Sequence, residues 1–222
     1  MPIHNWSRVS DGMFHWFHQL WIVSIAQWLN QGRLPEGFYA IGEVYANEVE
    51  PDARKDLIAV RSVEGILVAV VEIVSAGNKS SQARFRKFLA KTIEFLDQGV
   101  HVLVIDLFPP TPRDPQGIHQ ALWSEKYDAE FEFHADKPLT LASYRATTAG
   151  SVARAFVEPI AVGDVLPAMP LFLWADRYIN VDLEQPYQSA WEVYPAPLKP
   201  KIESAGPARS CRFHCSAATR ET

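Results

Sequence analysis

The sequence predicts an α/β fold, a mixed central sheet flanked by helices, in one domain over residues 1–198. Three observations predict it. Residues 11–29 carry apolar side chains at helical spacing, and residues 100–108 form a nearly continuous apolar run. Before that run, a strand-like segment and a helix-like segment follow one another in the order of a crossover unit. With 222 residues, seven Trp and twelve Phe, the chain can bury a substantial core.

Ser10 or Asp11 can cap the first helix, which runs to about Leu29. Phe14, Phe17, Leu20, Trp21, Ile25 and Trp28 make its stripe. Asn30-Gln31-Gly32 ends it, 34–37 turns the chain, and 38–45 alternates as a strand. Residues 56–60 and 66–72 read as two strands joined by 61–65. A turn at 76–81 leads into a second helix from about Ser81 to Leu96, with Phe85, Phe88, Leu89, Thr92, Phe95 and Leu96 inward. Gly99 stops it, and 100–108 follows as a central strand. Because a helix links them, strands 66–74 and 100–108 are expected to be parallel.

Beyond residue 116 the signals weaken. Residues 139–144 and 155–162 are candidate strands, 167–173 an extended surface segment, and 181–191 a short helix broken or started at Pro186. After Pro195 the composition turns small and polar, so 199–222 is expected to be a disordered tail.

A net charge of −5 gives no global basic field toward nucleic acid or acidic lipid, although a local groove stays open. No apolar run is long enough to span a membrane. The opening Met1-Pro2-Ile3-His4-Asn5-Trp6 lacks a signal-peptide pattern, and two late cysteines give no disulfide framework. The expected compartment is a reducing cytoplasm.

Val70-Val71-Glu72-Ile73-Val74-Ser75 places a carboxylate inside an apolar run. An ionised Glu there must reach the sheet edge, take up a proton, or meet a partner or metal. A hairpin centred near Glu64 would set Asp56 opposite Glu72 and Val60 opposite Val68, with opposed Cβ atoms about 5 Å apart. Two carboxylates so close favour a divalent cation; two edge carboxylates in water would need none. Lys91, on the shoulder of the second helix, can lean toward the sheet or snorkel to solvent. Lys79, in the turn, is nearer in sequence. His15 and His18, beside His4, lack a third ligand at clear spacing and suit packed or hydrogen-bonded histidines. Cys211, His214 and Cys215 lack the further ligands of a closed zinc site. No P-loop, dinucleotide fingerprint or nucleophile elbow is present, and Gly77-Asn78-Lys79-Ser80 lacks the glycine-rich approach of a phosphate loop.

Val71-Glu72-Ile73-Val74-Ser75 with Gly77-Asn78-Lys79, followed by the run from Gly99 to Leu107, resembles the bacterial family called domain of unknown function 4058. The opening nine residues, Phe14-His15-Trp16-Phe17-His18, Pro109-Pro110-Thr111-Pro112-Arg113-Asp114-Pro115, and Asp136-Lys137-Pro138-Leu139 resemble one branch of it. The likeness runs from Met1 to about Trp191. That family is in turn similar to restriction-endonuclease-like proteins, whose metal site is a Pro-Asp, a Glu on the next strand and a Lys. Here those positions are Pro51-Asp52, Glu72 and Lys91, and Val74 stands where the usual nuclease lysine would be. Family members carry a strand and a long insertion after the Pro-Asp, whereas Ala53-Arg54-Lys55-Asp56 follows directly here. The resemblance therefore points to Asp52 and the hairpin to Asp56.

The resemblance implies a restriction-endonuclease-like core and Mg²⁺-dependent hydrolysis of nucleic-acid phosphodiesters, with Mn²⁺ as a substitute. Asp52 or Asp56 with Glu72 would hold the metal, and Lys91 would stabilise charge. A non-catalytic interaction module or pseudoenzyme keeping the same fold is the alternative. A small-molecule hydrolase using the same metal site is a third reading.

Overall fold

The computed structural model describes residues 2–44, 56–127, 131, 134–147 and 153–203, with the side chains of Val44 and Asp56 left aside. It is a mixed α/β fold with helices on both faces of a six-stranded sheet. Helix α1 (Asp11–Asn30) precedes strands β1 (Phe38–Val44), β2 (Asp56–Ser62) and β3 (Leu67–Ile73). A short helix α2 (Ala76–Lys79) and the longer α3 (Gln82–Asp97) lead to β4 (His101–Asp106). Then come α4 (Gly117–Tyr127), β5 (Leu139–Arg145) and β6 (Arg154–Ile160). A two-stranded ribbon of β7 (Ala168–Phe172) and β8 (Tyr178–Asp182) precedes α5 (Glu184–Val193) and α6 (Lys199–Glu203).

Sheet order follows chain order, β1 to β6, and every neighbouring pair is antiparallel except β3–β4. That exception is the predicted crossover, with α3 between its strands. The helical period of Phe85, Phe88, Leu89 and Phe95 buries one stripe of α3 on the sheet. Ser81 caps the helix, its Oγ accepting the Arg84 N–H at 3.2 Å. Gly99 turns the chain back into β4 with φ +82°, which favours glycine.

Alternation along the strands sends side chains to two cores. Ile58, Val60, Ala69, Val71 and Ile73 pack under α1, α5 and the β7–β8 ribbon; Leu57, Ala59, Val70, Val74, Val102 and Val104 pack under α3 and α4. Gly42 lets β1 approach α1, since a Cβ there would lie 3.1 Å from Ile22 Cγ2. Among the described residues no helix is long and apolar enough to cross a membrane.

Four expectations change. Val60 pairs with Ala69, not Val68, because the ladder shifts between Val60 and Arg61. Arg61 anchors that irregularity, donating to both Glu43 carboxylate oxygens at 2.7 and 3.0 Å and to the Gly65 carbonyl at 2.8 Å. Ile58 then pairs with Val71, so the register continues to Leu57 across from Glu72 and does not set Asp56 there. The segment 167–173 is no surface strap: Met169, Leu171 and Phe172 are buried core residues of β7. Residues 181–191 split between the end of β8 and α5. Finally, 199–203 is not tail but α6, which buries Ile202 to 1 % exposure in the core.

Candidate functional site

Glu72, near the end of β3, faces α3, in line with Val70 and Val74. On that helix Lys91 follows Phe88 by three residues and precedes Phe95 by four, so it belongs to the buried stripe. The two side chains meet: Lys91 Nζ donates to Glu72 Oε1 at 2.5 Å. Glu72 is 5 % and Lys91 7 % exposed. The lysine does not snorkel. Each charge compensates the other where either alone would be costly to bury.

Above the pair opens a cleft of about 360 Å³ between the start of α1 and the chain leaving β3. Its polar lining includes Asp11, His15, His18, Ser75 and Asn78 with Glu72 and Lys91. Asn78 is fixed by its Oδ1, which accepts the Ser75 N–H and Oγ–H, both at 2.8 Å. His18 is buried, its Nε2 lying 3.1 Å from the Ile73 carbonyl, so that nitrogen carries the proton. His15 is exposed on the cleft wall.

A second ionic cluster adjoins the cleft. Lys79, at the end of α2, reaches Asp106 Oδ2 at 2.6 Å and Asp114 Oδ2 at 2.7 Å, and donates to the Phe108 carbonyl at 3.2 Å. Asp114 Oδ1 accepts from the Thr111 N–H at 2.8 Å and its Oγ1–H at 2.5 Å. Asp106 Oδ1 accepts the Phe108 N–H at 3.1 Å, and Arg113 donates to the Lys79 carbonyl at 2.8 Å. One ammonium thus bolts α2 to the end of β4 and to the proline-rich loop. Burial works against the Lys79 charge, but the two carboxylates outweigh it and hold its pKa above the ordinary lysine value. Burial likewise pushes the Asp106 carboxyl up, beyond what the attraction of Lys79 offsets.

Of the predicted site residues, the fold brings Glu72 and Lys91 together. Asp52 lies outside the described residues, as do Cys211, His214 and Cys215. Asp56 begins β2, one register position from the one expected. Lys79, the other lysine considered for charge stabilisation, is engaged elsewhere. His4 is buried far from the pair in sequence terms and in packing: its Nδ1 lies 2.8 Å from the Tyr187 hydroxyl and its ring stacks on Trp191. Sequence reading passed over Asp11, Asn78 and the Asp106–Lys79–Asp114 cluster. The Asp106 signal was present, an acid closing an apolar strand as Glu72 nearly closes its own. Asp114 gave none, because its partner lies in another element.

The described residues go only part of the way toward a metal site. No group of three His, Cys, Asp or Glu among them is placed to hold a metal ion. Glu72 supplies one buried carboxylate, with Oε1 taken by Lys91. Mg²⁺ keeps several waters and asks for one or two carboxylates, so a single further acid would complete a set. Comparison of the chain with protein-family models, curated proteins and solved structures finds no match.

Proposed function

We propose that the chain is a restriction-endonuclease-like hydrolase of nucleic-acid phosphodiesters, related to domain of unknown function 4058, with its chemistry at Glu72 and Lys91. The observation that carries this reading is the 2.5 Å contact between a strand carboxylate and a helix lysine, both buried at the floor of an open cleft. A strand Glu and a Lys from the following helix are the pair the resemblance calls for. Their place supports it as well, since ligands of open α/β sheets bind outside the carboxyl ends of parallel strands.

In this reading Glu72 and Asp52 hold a Mg²⁺ ion, which when bound supplies an activated water and a clamp on a phosphoryl oxygen. Lys91 acts on the negative charge that develops on the phosphoryl group, and its contact with Glu72 fixes where its ammonium points. The buried walls around Phe14 and Ile73 keep bulk water from the pair, which strengthens both interactions.

One observation favours a second reading. With a single buried carboxylate already compensated by an ammonium, the pair also serves as a structural bolt in a non-catalytic interaction module. The experiment that separates the two is cleavage of labelled single- and double-stranded DNA and RNA with Mg²⁺ or Mn²⁺. Hydrolysis stopped by EDTA and lost in Glu72→Gln, with the fold retained, is the expected result. No cleavage of any substrate with either metal would leave the interaction module.

A further inference from the structure

The cleft over Glu72 and Lys91 does not end at that pair. A second hollow of about 220 Å³ shares Asp11, Phe14 and Ala76 with it, so the two form one continuous groove. The two ends differ in chemistry. The first is polar and ionic. The second is walled by Trp6, Val9, Phe14, Phe108, Pro109 and Pro110.

The charged and polar groups of the second hollow are engaged within the protein. Lys79 gives its ammonium to Asp106, Asp114 and the Phe108 carbonyl. Thr111 gives its N–H and hydroxyl to Asp114. None of these atoms is left to recognise a phosphate. The surroundings also repel one, because a single ammonium faces two carboxyls and the exposed Asp11 adds a third. What remains is a flat-walled apolar slot with one accepting carboxylate at its junction with the ionic cleft. A flat, uncharged ring carrying an amino group suits it.

We propose that this hollow takes a nucleobase, unstacked from its neighbours, of the same strand whose phosphodiester lies over Glu72 and Lys91. The proposal rests on the phosphodiester reading and narrows its substrate class to single-stranded nucleic acid, or to strand positions already unpaired. Inside a duplex the base is stacked and paired, and drawing it out costs energy that an unpaired strand does not pay. The ring would gain apolar contact with the aromatic and proline walls, as bases do on stacking platforms. Asp11 would accept from the exocyclic amino group of adenine, cytosine or guanine.

The test uses the full chain and two measurements. Deoxyadenosine, which has no phosphate, is titrated into labelled protein while backbone amide resonances are followed. Shifts confined to Ser7, Val9, Thr111 and their neighbours, and removed by Ser7→Trp from its exposed position on the wall, are expected. No shift at these amides at millimolar nucleoside overturns the proposal. Fluorescence anisotropy in Mg²⁺ then compares a single-stranded oligonucleotide with its fully abasic counterpart and with duplex. The account expects the latter two to bind about tenfold more weakly, within the range of one base-stacking contact. Equal binding of base-bearing and abasic strands overturns the base pocket even where cleavage is observed. Nucleoside shifts without any cleavage support the pocket and sink the hydrolase reading instead.

Discussion

At the residue scale the Glu72–Lys91 pair decides both stability and function, and these can be told apart. Removing one partner leaves the other charge buried and uncompensated, at a cost of about 3–5 kcal/mol. Lys91→Ala should therefore unfold at clearly lower denaturant. Replacing both together, as Glu72→Leu with Lys91→Met, should recover most of that loss, because a packed apolar pair needs no compensation. A double-mutant cycle by chemical denaturation measures it, and additive losses would mean that the contact carries no coupling. Three histidines make a separate prediction. Burial lowers His4, His101 and His119 from 6.5 to about 4, with Arg145 adding to the effect at His101. For His101 the reason is visible: its Nδ1 accepts the Ala146 N–H at 2.9 Å, a bond that protonation would break. The unfolded chain binds these protons first, so each histidine contributes stability that is present above pH 6.5 and is lost as pH falls toward 4. Histidine ring resonances of the folded protein should stay in their neutral positions down to about pH 5, and titration near 6.5 would contradict the burial.

At the element scale, what could be read in the sequence was what local periodicity encodes. The stripe of α1, the stripe of α3 with its Ser81 cap, and the apolar run of β4 each announce themselves within about twenty residues. The hairpin register did not, because it depends on the irregularity between Val60 and Arg61 that the Glu43 ion pair holds. Helix α4 was hidden as well. Its inward positions are only Gly117, Ile118, His119 and Leu122, with His119 donating no hydrophobic signal. Strand β7 carries Pro170, which reads as a surface feature until β8 covers the other side. The same limit hid the role of Ile202, a lone apolar residue in a polar stretch. Ile202→Ala should cost about 2–4 kcal/mol, as for other fully buried aliphatics, against nothing measurable if 199–203 were loose. A thermal or denaturant midpoint settles this.

At the scale of the whole molecule, the one parallel pair in an otherwise antiparallel sheet organises the site. β3 and β4 run the same way because α3 crosses between them, and both deliver an acid near their carboxyl ends, Glu72 and Asp106. Each acid has a lysine, Lys91 from α3 and Lys79 from α2, and the groove runs past both. The Glu72–Lys91 half was legible from the sequence because a resemblance and a misplaced carboxylate pointed to the same residue. The Asp106–Lys79–Asp114 half joins three elements and has no local pattern. The account's central claim is that Glu72 holds a divalent cation and is not merely a bolt for Lys91. Titration calorimetry with Mn²⁺ on the folded protein tests it most directly. Binding near one equivalent that is lost in Glu72→Gln, with the circular dichroism spectrum unchanged, is the predicted result; an absence of binding heat in the wild-type protein, or heat undiminished by the substitution, would contradict it.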